Sequence, residues 1–291
     1  MYPISNYLKT TAELLEDAKK RKYAVPMVNV TDMEFLKAVL DVAFEEKSPV
    51  IVGIASPYFE ACDQNLLECY IYYSMKRART PYAIHLDHGR TVQQIVRAIK
   101  LGFTSVMIDA SYLPFEKNVE MTRKIVQLAH PFNVSVEGEL GRIRGEEFGL
   151  STQSSDYEEL TDPEKAREFV QATEIDILSV SVGTVHGMEY RHKVRVEVPL
   201  VKRIAEKTSI PLALHGSFKA PDEAIKQAVE AGICKVNLAL HFWEPFTNGV
   251  KEALQTKEEI VPLERILESG WKNVREEIRY RMRLLGSSGK A

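Results

Sequence analysis

Tyr82-Ala83-Ile84-His85-Leu86-Asp87-His88-Gly89 is the stretch that decides how this chain is read. A short apolar, strand-like run leads into two histidines and a carboxylate, and a helix-like segment starts at Thr91. Ionisable groups at the end of a buried strand are costly unless each finds a partner or a metal. Side chains alternate along a strand, so Asp87 points with His85 and away from His88 for as long as the strand continues. The spacing therefore argues against a three-ligand metal cluster made by this stretch alone. It suits one group binding a metal, another moving a proton, and further ligands arriving from elsewhere. The plain alternative is a buried polar network at a strand end.

Outward from this stretch the chain alternates short β-rich runs with amphipathic helical segments. The strands are expected at Val25–Val30, Val50–Ile54, Tyr82–Leu86, Ser105–Ile108, Val134–Glu139, Ile177–Val182, Leu212–His215 and Lys235–Leu238. Helices are expected near 32–47, 57–78, 91–101, 115–130, 162–173, 199–208, 220–231 and 241–255. Asp162-Pro163-Glu164 sets a capping residue before a first-turn proline, and Ala220-Pro221-Asp222 offers a second helix start. Eight such units with right-handed crossovers predict a closed parallel (β/α)8 TIM barrel over about residues 23–255. A doubly wound open sheet is the weaker alternative, because no Gly-rich dinucleotide fingerprint follows the first strand. Thr10–Lys22 reads as an added N-terminal helix, and Pro262–Leu285 as a C-terminal helical arm at about 258–285. Trp271 and Tyr280 on that arm cover either a neighbouring subunit or the barrel's own wall; Gly286–Gly289 reads as a flexible end. The whole chain, 1–291, is expected to form one domain.

Composition supports an enzyme-sized globular chain: 45% of residues are hydrophobic and 27% charged. A net charge of −3 gives no reason to expect nucleic acid or an anionic membrane as a partner. No run of about eighteen apolar residues is long enough to span a bilayer. Cys62 and Cys69 share one expected helix and sit about 10 Å apart, too far for a disulfide. Three cysteines without a pattern, and no signal-peptide core, predict a reduced, cytoplasmic protein.

In a barrel of this kind chemistry gathers at the C-terminal ends of the strands, and so do the polar residues here. They are Asn29, Ser56, Asp87, His88, Asp109, Ser111, Glu137, Glu139, Thr184, His186, Gly187, His215, Gly216 and Asn237. Asp87-His88-Gly89, Val185-His186-Gly187 and Leu214-His215-Gly216 each set a histidine before a glycine, where backbone can turn sharply and a ligand can approach. Three histidines from three strand ends can make an open catalytic metal site with one position left for substrate.

The set resembles the class II, metal-dependent ketose-bisphosphate aldolases, in particular the fructose-/tagatose-bisphosphate branch. The likeness is carried in order by Val25-Pro26-Met27-Val28-Asn29-Val30, His85-Leu86-Asp87-His88-Gly89, Val106-Met107-Ile108-Asp109-Ala110-Ser111, Val136-Glu137-Gly138-Glu139-Leu140-Gly141, Gly183-Thr184-Val185-His186-Gly187, Leu214-His215-Gly216 and Lys235-Val236-Asn237. The resemblance implies that His88, His186 and His215 bind Zn2+ or another divalent metal, which stabilises an enediolate after carbon–carbon cleavage. It implies that Asp87 transfers a proton at the C4 hydroxyl, and that Glu147, in the long 141–160 loop, exchanges a proton with the enediolate carbon. Asp109 and Glu139 match an alternative metal position or hydrogen-bond partners of the zinc histidines. Asn237 matches a contact to the donor half of the substrate. Gly187 and Gly216 match backbone positions near the donor phosphate and a monovalent cation. Asn29 and Ser56 join the substrate-binding set, and His85 is read as supporting the site without being a ligand. A sugar or sugar-phosphate substrate and a homodimer or homotetramer follow from the same resemblance.

The departures cluster at the donor end. Phe218 stands where the family has a phosphate-holding serine, Leu240 where it has a threonine, His241 where it has an acid, and Phe148 where an acidic residue follows the loop glutamate. Charge-assisted hydrogen bonds worth about 1.5–3 kcal/mol each would be lost to a phosphate there. Ser217 or Lys219 could compensate, lysine as a point-charge phosphate binder. The expected function is thus a class II aldolase with an altered donor pocket, its donor less polar than dihydroxyacetone phosphate. The alternatives are an ordinary fructose-/tagatose-bisphosphate aldolase, a non-catalytic metal-binding or regulatory barrel, and an epimerase or isomerase that uses the same enediolate.

Overall fold

A computed structural model describes residues 6–145, 159–188 and 194–291. Among them eight parallel strands close into a barrel in chain order: Val25–Asn29, Val50–Ala55, Tyr82–Gly89, Ser105–Ile108, Ser135–Leu140, Ile177–Val180, Leu212–Leu214 and Ile233–Leu238. The first strand pairs with the second and the eighth, with Met27 level with both Ile51 and Asn237. Every barrel strand residue is buried. That burial is why these segments read as near-continuous apolar runs, as expected of parallel strands covered on both faces. This is the (β/α)8 barrel the sequence predicts.

The N-terminal helix α1 (Thr11–Arg21) closes the barrel at its strand-start end. Leu14, Leu15 and Ala18 pack into a cluster with Val25, Met27, Ile51, Ala83, Ile177, Ala213 and Cys234. A capping box starts the helix: Glu13 N–H donates to Thr10 Oγ1 at 3.1 Å, and Thr10 N–H to Glu13 Oε2 at 2.7 Å. With this end plugged, only the C-terminal ends of the strands are left open for chemistry.

Helices α2 (Met33–Glu45), α3 (Ser56–Ala61), α4 (Gln64–Arg77), α5 (Val92–Leu101), α6 (Phe115–Ala129), α7 (Pro163–Thr173), α8 (Val198–Thr208), α9 (Asp222–Ala231) and α10 (Trp243–Leu254) surround the barrel. The single helix over 57–78 and the flexible end need correction, and the arm follows one of its two expected packings. The segment 57–78 is two helices, because Asp63 caps a fresh start by accepting from Leu66 N–H at 2.9 Å. Cys62 and Cys69 therefore lie on different elements; they and Cys234 are free thiols. The helical arm α11 (Leu263–Leu284) packs on the barrel's own wall: Val274, Ile278 and Met282 are buried, and Trp271 lies 5.4 Å from Phe35 and 4.7 Å from Phe246 between ring centroids. Its end is docked. Gly289 N–H donates to Glu46 O and Ala291 N–H to Lys47 O, both at 2.8 Å, and Ser287 is fully buried against Ser48. Among the described residues no helix is long and apolar enough to cross a membrane.

Candidate active site

The third strand departs from plain alternation just where the site begins. Its pairing with the fourth strand runs Leu86 to Val106, then Gly89 to Ile108, so one extra residue is accommodated as a bulge. His88 takes the strain, with φ at +51°, in the left-handed region that costs a non-glycine residue about 1–3 kcal/mol. The expectation that His88 points away from Asp87 fails for this reason. Both side chains are buried on the site side, with His88 Nε2 3.9 Å from Asp87 Oδ1.

His88, His186, His215 and Glu139 converge, their ligand atoms all lying within 4.8 Å of one another. Each comes from a different strand end. His186 sits in a two-residue bridge, Val185–His186 beside Arg144–Gly145, that ties the loop after the fifth strand to the loop after the sixth. Val185 N–H also donates to Gly216 O at 3.2 Å. This close approach requires glycine: Gly216 has φ +62°, and a Cβ there would lie 2.8 Å from the Val185 carbonyl.

The outer partners assign the histidine tautomers. His88 Nδ1 lies 3.2 Å from Asp109 Oδ2, and His215 Nε2 lies 2.7 Å from Glu137 Oε1, so both nitrogens carry the proton and donate it to a carboxylate. That leaves the lone pairs of His88 Nε2 and His215 Nδ1 facing each other at 2.9 Å, with Asn237 Nδ2 3.3 Å from the latter. Two imidazole lone pairs so placed, with Glu139 and His186 alongside, suit a shared cation, and carboxylate-backed histidines are how such ligands are held. Burial first, then the neighbouring His88 and Lys235, push His215 well below the ordinary histidine range, so it is neutral as a ligand must be. Burial works against ionisation of Asp109, but His88 and two hydrogen bonds from Ser111 outweigh it and hold the carboxyl below its ordinary value.

Asp87 is held from both sides. Asn29 Nδ2 donates to its Oδ2 at 2.7 Å and Asn237 Nδ2 to its Oδ1 at 2.9 Å. The Asn29 side chain has room only because residue 53 on the neighbouring strand is glycine; a Cβ there would lie 2.7 Å from Asn29 Oδ1. Burial opposes the charge on Asp87, but His88, His215, Lys235 and Asn29 together keep its carboxyl below the ordinary value. An ionised, doubly oriented carboxylate beside a cation-ready cluster can accept a proton from a bound hydroxyl.

Beneath the cluster lies a layer of Lys235, Glu137 and His85, of which the sequence points to Glu137 and His85 but not to Lys235. Lys235 Nζ donates to Glu137 Oε2 at 2.6 Å and lies 3.4 Å from His85 Nε2, and all three residues are fully buried. His85 also meets Ser105 Oγ at 2.8 Å and is not a member of the converging group of His88, Glu139, His186 and His215. The signal was period two: Lys235 precedes Asn237, and Glu137 precedes Glu139, on the same inward face. Lys235→Met would leave the Glu137 carboxyl group buried and short of a partner. It is expected to destabilise the protein by about 3–5 kcal/mol, read by urea unfolding, with Lys235→Met/Glu137→Gln recovering much of the loss. Equal stability of the single and double variants would show that the pair is not coupled.

A pocket opens over the cluster, lined by Asn29, Asp87, His88, Val185, His186, Gly187, His215, Gly216, Ser217, Phe218, Asn237, Ala239, Leu240 and His241. Two expected residues are not brought to it. Lys219 is exposed and pairs with Glu244 at 3.4 Å, because its φ of +63° turns it to the surface. Ser56, at the start of α3, accepts from Gln94 Nε2 at 3.3 Å instead. Ser217 lines the pocket, but its hydroxyl donates to Asn237 O at 3.1 Å. Glu147 and Phe148 lie outside the described residues.

The family model "Fructose-bisphosphate aldolase class-II" matches residues 9–290. The chain belongs to the class II fructose-bisphosphate aldolase family. It is an aldolase, a carbon–carbon lyase, and its relatives match end to end. The fructose-bisphosphate aldolase of Geobacillus stearothermophilus is 37% identical over 98% of this chain and 99% of its own length. That of Thermus caldophilus is 36% identical over 98% and 100%. Among solved structures, the YdjI aldolase from Escherichia coli K12 superposes with a TM-score of 0.85 at 32% identity, covering 98% of this chain and 99% of the other. The family is zinc-dependent, and the aldolase carries a histidine–glutamate group able to hold such a metal.

Proposed function

We propose that this aldolase cleaves and forms a phosphorylated ketose by retro-aldol and aldol chemistry, with Asp87 as the proton-transfer group at the cleaved bond. The observation that carries the reading is the position of Asp87, gripped by Asn29 and Asn237 beside the paired lone pairs of His88 and His215. His88, His186 and His215 would hold the metal, with Glu139 in reach as a fourth ligand. A divalent metal bound there supplies a Lewis acid for the ketose carbonyl. Asp87 takes the proton from the hydroxyl of the carbon that becomes the aldehyde, and the carbon–carbon electron pair passes to the donor half. Asn29 and Asn237 keep both carboxylate oxygens aimed, which limits the reorganisation the step requires. Glu147 is the proposed proton donor to the donor carbon. Asn237, Gly187 and Gly216 hold the donor half, with a monovalent cation near the two glycines.

The relatives' names make a ketose 1,6-bisphosphate the first substrate to offer. The pocket wall favours a second reading, in which the donor end carries no phosphate. Phe218, Leu240 and His241 line that end, and no lysine or arginine stands among the described lining residues. The test is donor proton exchange in heavy water followed by NMR, with dihydroxyacetone phosphate and neutral hydroxyketones offered in parallel. Exchange that stops on adding a chelator is expected. Exchange indifferent to the chelator, or none with any donor, would refute the metal-dependent aldolase reading.

A further inference from the structure

His241 is 4% exposed, follows the eighth strand in the turn Leu240–Phe242, and lines the pocket with Ser217, Phe218, Asn237 and Leu240. Its ring meets Phe218 edge to face, 5.5 Å between centroids. Ser217 gives its hydroxyl proton to Asn237 O at 3.1 Å, so towards His241 Nε2, 3.5 Å away, its oxygen can only accept. The ring proton therefore sits on Nε2, and Nδ1 keeps a bare lone pair. That Nδ1 is buried and has no partner among the described residues. Asn237 Oδ1 is in the same condition, because its amide must turn its N–H to Asp87.

Two residues that line the donor end of the pocket thus each hold a buried acceptor that lacks a donor. A hydroxyl answers such groups; a phosphate dianion has no proton to offer and is repelled by the lone pairs. Turning His241 into a cation to greet a phosphate is opposed by burial first and then by the Arg281 charge, which outweigh a hydrogen bond to the Ser217 backbone and lower its pKa to about 3.

We propose that His241 is a specificity-determining residue that accepts a hydrogen bond from a terminal hydroxyl of the donor, directing this aldolase to uncharged hydroxyketone ends over phosphorylated ones. The proposal rests on the aldolase reading and on the second of its two donors. The test measures half-saturation of donor proton exchange, in heavy water with zinc, for dihydroxyacetone, hydroxyacetone (the same donor without the terminal hydroxyl) and dihydroxyacetone phosphate. In the wild type dihydroxyacetone should half-saturate about tenfold below hydroxyacetone, as one hydrogen bond predicts, and also below dihydroxyacetone phosphate. His241→Leu should collapse the first ratio to about one. His241→Asn, which keeps an acceptor, should retain part of it. A ratio unchanged in His241→Leu, or tighter saturation by the phosphate in the wild type, overturns the role of His241 while leaving the aldolase intact. The wild-type comparison decides even if the leucine variant fails to fold. Absence of exchange with all three donors overturns the aldolase reading and the proposal with it.

Discussion

His88→Ala is expected to remove metal and activity together. His88 contributes a lone pair 2.9 Å from that of His215 and holds Asp109 through its other nitrogen, so its loss opens the cluster on one side and frees a buried carboxylate. Removing only an outer partner of a ligand costs about 10–100-fold in affinity, and losing a ligand should exceed the upper end of that range. A metal that stabilises the transition state by several kcal/mol sets the activity loss at about 10³-fold or more. The fold should persist, because the eight-stranded ladder and the α1 plug do not depend on His88. Metal content by mass spectrometry, cleavage rate and circular dichroism on one preparation check the three statements. Wild-type cleavage by a metal-free His88→Ala protein would sink the metal assignment.

Asp87→Ala separates two steps that His88→Ala cannot. The ligand group is held by Asp109, Glu137 and Ser179, none of which touches Asp87, so metal content should stay near that of the wild type. Cleavage should fall by about 10²–10⁴-fold, the range for a lost proton-transfer group. Donor proton exchange involves no proton on the acceptor hydroxyl and should survive far better than cleavage. The variant also leaves the Asn29 and Asn237 amides without their acceptor, a cost of about 1–3 kcal/mol for each unsatisfied group, so rates are compared below its unfolding midpoint. Equal loss of exchange and cleavage would show that Asp87 organises the whole pocket instead of serving the acceptor side.

The donor end is where relationship and residue chemistry pull apart. Full-length relatives named fructose-bisphosphate aldolases favour an ordinary bisphosphate substrate. The local evidence is a wall of Phe218 and Leu240, a serine hydroxyl already committed to Asn237 O, and a neutral buried histidine. Lys219, the compensating cation the sequence offered, faces Glu244 at the surface.

By itself the sequence determined the barrel and most of the polar residues at its mouth. Parallel strands covered on both faces must be apolar almost throughout, so the eight runs and the polar groups that interrupt their ends were legible without coordinates. His186 and His215 could be placed on sight, because each stands beside a glycine at a strand end. Only the tertiary structure decided how these groups face one another. His88 joins Asp87 because a bulge rotates one residue, and alternation predicts the reverse. Lys235 belongs to the site because the closed barrel brings the eighth strand across from the fifth, where Glu137 waits 98 residues away in sequence. The C-terminal end docks on Glu46 and Lys47 although its composition is that of a free tail. Period and composition report which face of its own element a residue occupies; the partner across the barrel is set by closure, a long-range condition that no local stretch of chain contains.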